Sequence, residues 1–177
     1  MLRYAKVRDR DISNGPGFRV SVFFQGCIHH CKNCFNPETW DPEGGYELTK
    51  EKINKILDLC DRDEIEGISL LGGDPFYIFD KSVEEKDENE RDRLQFILFL
   101  KSFKDRFPDK TIWVWTGYLY DDLFNGTLNH TVKTTLQYID VIIDGPFIEE
   151  KKELGLKWAG STNQRIWDIK GKYIKSI

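Results

Sequence analysis

The 177-residue chain reads as an α/β protein, an open partial (β/α) barrel on a parallel sheet. Three observations lead there. Short runs rich in β-branched and aromatic residues alternate with helix-length amphipathic segments, the pattern of βαβ units. Each run ends at a glycine-containing turn or at a cysteine loop, and right-handed crossovers would gather those ends on one rim. The length falls short of the roughly 250 residues of a full eight-stranded barrel, and no repeat or Pro-, Gly- or Ser-rich linker splits residues 1–177 into more than one domain.

Taken in order, residues 2–7 are a candidate edge strand. Residues 19–26, RVSVFFQG, form the first core strand, which runs straight into the cysteines. A helix is expected over 49–60, capped by Thr49, with Ile53, Ile56, Leu57 and Cys60 on one face and Lys52, Asn54, Lys55 and Asp58 on the other. The run Ile68-Ser69-Leu70-Leu71 is a second strand, stopped by Gly72-Gly73-Asp74-Pro75. Residues 83–93, VEEKDENERDR, read as solvated surface leading into a helix marked by Leu94, Ile97, Leu98 and Lys101 and ended by Pro108. Strands at 111–115 and 140–143 end at Thr116-Gly117 and Asp144-Gly145-Pro146, and residues 165–174 add a further strand or a terminal helix.

Composition excludes several classes. Lys and Arg number 26 against 30 Asp and Glu, and the resulting charge of −4 argues against nucleic acid or an anionic membrane as the main partner. Aromatic residues at 14% are too many for wholesale disorder. No apolar run approaches the roughly 18 residues of a membrane span, and MLRYAKVRDRD lacks a signal-peptide core, so the expected compartment is the cytoplasm.

Cysteines stand at 27, 31, 34 and 60. The first three form C-x3-C-x2-C, a spacing that can point three thiolates at three corners of one small cube and leave the fourth iron of a [4Fe–4S] cluster open to an exogenous ligand. A Cys3His zinc site completed by His29 or His30 is the structural alternative. Both histidines otherwise read as loop-stabilising imidazoles, donors to a cluster sulfide or partner contacts. Cys60, on the apolar stripe of a helix, reads as packing.

With Gly72-Gly73-Asp74-Pro75 following the cysteine motif, the chain resembles the radical S-adenosylmethionine superfamily. Asn14-Gly15-Pro16-Gly17-Phe18-Arg19 looks like the entry segment of its glycyl-radical-enzyme activases. Cys27-Ile28-His29-His30-Cys31-Lys32-Asn33-Cys34-Phe35-Asn36-Pro37-Glu38-Thr39-Trp40 is similar to the signature of the activases that serve anaerobic ribonucleoside-triphosphate reductase. Trp115-Thr116-Gly117-Tyr118, Asp144-Gly145-Pro146-Phe147 and Ser161-Thr162-Asn163-Gln164-Arg165 extend the likeness over most of the chain. Two departures stand out: Asn33 occupies a position often apolar or aromatic in the superfamily, and residues 84–93 look like an expanded surface segment.

The resemblance implies a barrel of the radical SAM type. Cys27, Cys31 and Cys34 would hold the cluster, and S-adenosyl-L-methionine would chelate its open iron. Asp74 would accept from the S-adenosylmethionine amino group, and Gly72 and Gly73 would let the backbone approach the methionine moiety. Asn33 and Phe35 are candidates for adenine contact. Thr116 and Asp144 would touch ribose or carboxylate, unless they merely cap strand ends, and residues 163–165 form either a turn with a salt bridge or part of a docking surface. The implied reaction is reductive cleavage of S-adenosylmethionine and removal of a glycine hydrogen from the large subunit of anaerobic ribonucleoside-triphosphate reductase, with flavodoxin or ferredoxin as electron donor. A homodimer stays open. The rivals are activation of another glycyl-radical enzyme such as pyruvate formate-lyase, a small-molecule reaction like that of 7-carboxy-7-deazaguanine synthase, and a zinc-stabilised interaction module.

Overall fold

In a computed structural model, residues 1–83, 87–169 and 173–174 are described. Four strands, β1 (Arg3–Asp11), β2 (Phe18–Phe24), the two-residue β3 (Tyr46–Glu47) and β4 (Ile65–Gly72), surround helix α1 (Lys50–Cys60) in the chain. Helix α2 (Asp87–Arg106), strand β5 (Thr111–Trp115), the short helix α3 (Val132–Leu136) and strands β6 (Val141–Asp144), β7 (Arg165–Asp168) and β8 (Tyr173–Ile174) follow. They build one open sheet in the order β3-β1-β2-β4-β5-β6-β7-β8.

The four central strands β2, β4, β5 and β6 are parallel, joined in sequence through α1, α2 and α3. The expectation of an all-parallel sheet gives way at both flanks, where β1, β3, β7 and β8 pair antiparallel. At the first flank the connection explains this: six residues between β1 and β2 leave no room for the dozen or more residues a parallel crossover needs, whereas the 20 residues between β6 and β7 do not force the direction there. Nor is the first strand an edge, since β1 lies between β2 and β3. The tail forms strands β7 and β8, with residues 170–172 outside the described set.

Strand alternation sends Val20, Val22, Phe24, Ile68, Leu70, Ile112, Val114 and Ile142 to one face, where they pack in a single core with buried residues of all three helices. α1 begins as expected, Thr49 Oγ1 accepting from Lys52 N at 3.2 Å, and buries Ile56, Leu57 and Cys60. The helix expected before Pro108 is present as α2, but the residues that marked it do not make its buried face. Leu94 and Leu98 are at least half exposed, and the buried face is Phe96, Phe99, Leu100 and Phe103. Both stripes have helical spacing, but three phenylalanines remove more apolar area from water than the leucine and isoleucine set, so they decide the rotation. The charged run is also not wholly solvated. Residues 84–86 lie outside the described set, while Arg93 is buried and donates Nε to Ile78 O at 2.7 Å.

The opposite face of the sheet carries Arg19, Ser21, Phe23, Ser69, Trp113 and Trp115. Arg19 is fully buried there, donating to Ser69 Oγ (2.7 Å), Ile68 O (2.9 Å) and both Thr111 oxygens (2.9 and 3.0 Å). Burial pulls its guanidinium down to about 10, still charged at neutral pH. Ser69 Oγ in turn donates to Asn14 O at 2.5 Å, so the Asn14–Arg19 motif is a loop folded over a buried arginine.

Candidate active site

The rim formed by the C-terminal ends of β2, β4, β5 and β6 opens into a pocket of about 520 Å3. Cys27, Cys31, Cys34, Phe35, Gly72, Gly73, Asp74 and Thr116 all line it, although they come from three separate connections. Main-chain bonds clip these connections together. Gly26 N donates to Thr39 O (2.9 Å), Cys27 N to Trp40 O (3.2 Å), Gly73 N to Phe24 O (2.9 Å) and Asp74 N to Gly26 O (2.8 Å). Both glycines of the pair are demanded by this approach. At Gly72 (φ +111°) a Cβ would sit 2.7 Å from Phe23 Cα, and at Gly73 it would strike Gly26 O. The fold alone therefore requires glycine here, whatever the ligand.

The three loop thiols are half-buried and unpaired. Burial, reinforced by the nearby Asp74 charge, pushes the Cys27 thiol up to about 12, and burial is also the largest influence raising Cys31. An anion beside them is the reverse of what activates a nucleophilic thiolate. Such thiols ionise when a metal replaces the proton, so the donor set fits metal ligands. The histidines are engaged elsewhere. His29 Nε2 donates to Asp74 Oδ2 at 2.9 Å, and His30 stacks on Trp40 with centroids 4.6 Å apart. Among the described residues no three His, Cys, Asp or Glu side chains converge on a single-ion centre. With both imidazoles engaged by other partners a closed Cys3His tetrahedron is not laid out, and the three thiols remain as the sulfur donors of the pocket.

Asp74 is buried and receives four donors: Phe76 N (2.9 Å), Gly117 N (2.8 Å), His29 Nε2 (2.9 Å) and Thr116 Oγ1, which lies 3.0 and 2.9 Å from its two oxygens. A carboxylate has about four lone-pair sites, so Asp74 is saturated from within the chain. Burial opposes charge on His29, but the Asp74 hydrogen bond and charge outweigh it and hold the imidazole above its usual range. Thr116, expected at ribose or carboxylate, is bound to Asp74 and accepts from Tyr118 N at 3.2 Å.

The remaining expectations divide. Phe35 is 59% exposed at the pocket edge, 4.9 Å from Phe147 between ring centroids. Asn33 is not among the pocket-lining residues: its amide donates to Glu149 and its backbone is left-handed (φ 52°), a conformation asparagine tolerates. Asp144 is also absent from the lining. It is fully buried, pairs with Arg165 and accepts from Tyr120 N at 2.7 Å, which favours strand-end capping. Residues 163–165 act likewise on the same turn, Asn163 Nδ2 donating to Pro146 O (2.8 Å) and Gln164 Nε2 to Gly145 O (3.0 Å). Sequence reasoning missed the aromatic wall of Trp40, Trp115, Phe147 and Trp158. Its signal was the Trp113–Trp115 pair, two indoles on one face of a strand.

Comparison with known proteins agrees with this donor set. The family model described as a 4Fe-4S single cluster domain matches residues 13–167. The anaerobic ribonucleoside-triphosphate reductase-activating protein of Vibrio cholerae is 38% identical over 167 residues, covering 93% of this chain and 97% of that protein. Proteins of the same name from Enterobacteria phage T4 (34% over 168 residues, 94% of each chain) and Escherichia coli K12 (35% over 171 residues, 96% and 100%) are similar over the same extent. The chain belongs to the family of anaerobic ribonucleoside-triphosphate reductase-activating proteins. No helix among the described residues is long and apolar enough to cross a membrane.

Proposed function

We propose that this chain is an iron–sulfur activase of anaerobic ribonucleoside-triphosphate reductase that works by radical S-adenosylmethionine chemistry, its open sheet being a partial (β/α) barrel of that superfamily. The observation that carries the reading is the placement of three half-buried thiols of C-x3-C-x2-C spacing in one pocket with the Gly72-Gly73-Asp74 turn. Cys27, Cys31 and Cys34 would hold a [4Fe–4S] cluster. When bound, the cluster and S-adenosylmethionine supply reductive C5′–S cleavage and, through it, the means to take a glycine α-hydrogen from the reductase large subunit. Flavodoxin or ferredoxin is the donor in this reading.

The chain's own residues orient and enclose. Asp74 anchors His29 and the β5 end around the pocket, and it would accept from an S-adenosylmethionine amino group in place of one of its present donors. Phe35 and Phe147 offer ring faces and edges to adenine. Gly72 and Gly73 keep the floor of the pocket free of side chains. Exposed Ile28, Phe35 and Leu119 leave apolar surface for a polypeptide substrate near the rim.

The test is low-temperature electron paramagnetic resonance on anaerobically reconstituted, reduced protein mixed with S-adenosylmethionine and the reductase large subunit. A glycyl doublet on the partner that requires S-adenosylmethionine is expected, and Cys31→Ala should abolish it. A doublet that survives in Cys31→Ala, or product formed from a small molecule without added protein, sinks the reading.

A further inference from the structure

The indole Nε1–H of Trp40 is buried and has no hydrogen-bond partner among the described residues. The backbone turn places the ring, and a stacked imidazole covers one of its faces. The turn Pro37–Thr39 delivers it, with Thr39 Oγ1 donating to Asn36 O (2.6 Å) and Trp40 N to Pro37 O (3.2 Å). His30, in a left-handed conformation (φ 41°), stacks on it at an interplanar angle of 26°. A buried donor left unpaired has given up its hydrogen bond to water with nothing in return, so an indole fixed in this way calls for an acceptor that the protein does not itself provide.

The neighbours identify that acceptor. Trp40 lines the pocket together with all three loop cysteines, and its carbonyl accepts from Cys27 N at 3.2 Å. Indole is a donor only. It can neither ligate iron nor accept from an ammonium group, and its counterpart must be electron-rich. Cluster sulfides and thiolates are such acceptors, and Asn36 N already points toward Cys34 Sγ at 3.4 Å on the same side.

We propose that Trp40 donates its indole N–H to a sulfur of the cluster held by Cys27, Cys31 and Cys34, and so favours the reduced state. This rests on the cluster reading above. A donor to sulfur stabilises the more negative, reduced cluster, and hydrogen bonds to the sulfurs are among the determinants of its potential.

The experiment labels the wild-type chain with indole-15N tryptophan, reconstitutes it anaerobically, measures iron and sulfide, and records pulsed hyperfine spectra of the reduced protein before and after S-adenosylmethionine. Expected is a 15N coupling present before S-adenosylmethionine is added, which the backbone amide of Asn36, unlabelled, cannot produce. Trp40→Phe keeps a ring for His30 to stack on and removes the N–H. It should abolish the coupling at unchanged iron content and lower the reduced fraction, at the wild-type midpoint, from one half to about one fifth. In the apo protein the same variant should melt no lower than wild type, because the donor it removes is unpaired. A bound cluster without 15N coupling overturns this inference and leaves the cluster reading standing. A coupling that arises only with S-adenosylmethionine moves the contact to that molecule and overturns the assignment to sulfur. Absence of iron and sulfide in the wild type overturns both.

Discussion

Cys27 at the rim and Cys60 in the helical core share one chemical property and none of their context. Burial pushes both thiols up to about 12. Around Cys27 the charged neighbour is Asp74, which adds to the shift. Around Cys60 the charged neighbours are Lys110, Arg62, Arg19 and Arg106, which oppose it. Cys60 is completely enclosed among Ile56, Leu57 and the sheet, whereas Cys27 opens on the pocket. A raised thiol thus says little about use. What separates ligand from packing is access to a cavity shared with other donors, and this follows from position on the rim.

The largest expected effect is a crossing of two readouts between these cysteines. Cys27→Ala should abolish iron retention after anaerobic reconstitution, a loss of at least about tenfold, while the apo protein unfolds within about 0.5 kcal/mol of wild type in urea. Cys60→Ala should retain full iron and lose about 1–2 kcal/mol, because a fully buried side chain is replaced by a small void. If Cys60→Ala loses iron at unchanged stability, the division into ligands and packing is wrong.

A second contrast lies between two buried aspartates at strand ends. Asp74 is served by two backbone amides, a threonine hydroxyl and His29, and the amides cannot turn to water when the carboxylate goes. Asp144 also accepts from two backbone amides, Tyr120 N (2.7 Å) and Arg165 N (3.2 Å), but its remaining donor is the Arg165 guanidinium, whose side chain is about one third exposed and can turn to water. Asp74→Ala should therefore cost about 3–4 kcal/mol and Asp144→Ala about 2 kcal/mol in chemical unfolding of the apo protein. Equal losses would mean that Asp74 is not the hub its hydrogen bonds describe.

These cases also show what was legible in the sequence. The central strands could be read because strands buried on both sides are short continuous apolar runs, and residues 111–115 match β5 at both ends. The cysteine loop was legible from spacing, and Cys60 from helical periodicity. Flank direction was not: six residues force β1 to turn back on β2, but the 20 residues between β6 and β7 leave either direction open. The rotation of α2 was missed because two stripes share one period and only their relative mass decides. At the site, the sequence singled out Asp74 as an acceptor for a ligand amino group, but its saturation depends on Gly117 and His29, 43 and 45 positions away. For Asp144 the choice between ligand contact and strand-end capping stayed open in the sequence for the same reason: its partner Arg165 lies 21 residues on. Motifs identify which residues meet; only the fold says what each has left to offer a ligand.

The smallest effect concerns the loop over Arg19, which contributes Ser13 and Asn14 to the pocket lining. Burial raises the Asp11 carboxyl, but Ser13 N (2.8 Å), Asn14 Nδ2 (2.6 Å) and the charge of Arg8 outweigh it and hold the group below its ordinary 3.8. A carboxylate with a depressed folded-state pKa contributes stability that is present above the unfolded value and lost as pH falls through the folded one. Wild type should therefore lose this increment below about pH 4. Asp11→Asn, which cannot ionise, should start slightly less stable at pH 7 and show a shallower decline in urea midpoint between pH 5 and pH 3, ranges set by carboxylate titration at about pH 4. Because Asp11 holds Ser13 and Asn14, both on the pocket wall, the acid limb should also loosen the pocket while leaving the helical core intact. Protection of the Ser13 amide against hydrogen exchange would fall before that of Ile68 or Ile112 in wild type. Simultaneous loss at all three sites would mean that the rim and the core unfold as one unit and that their separation is chemical but not mechanical.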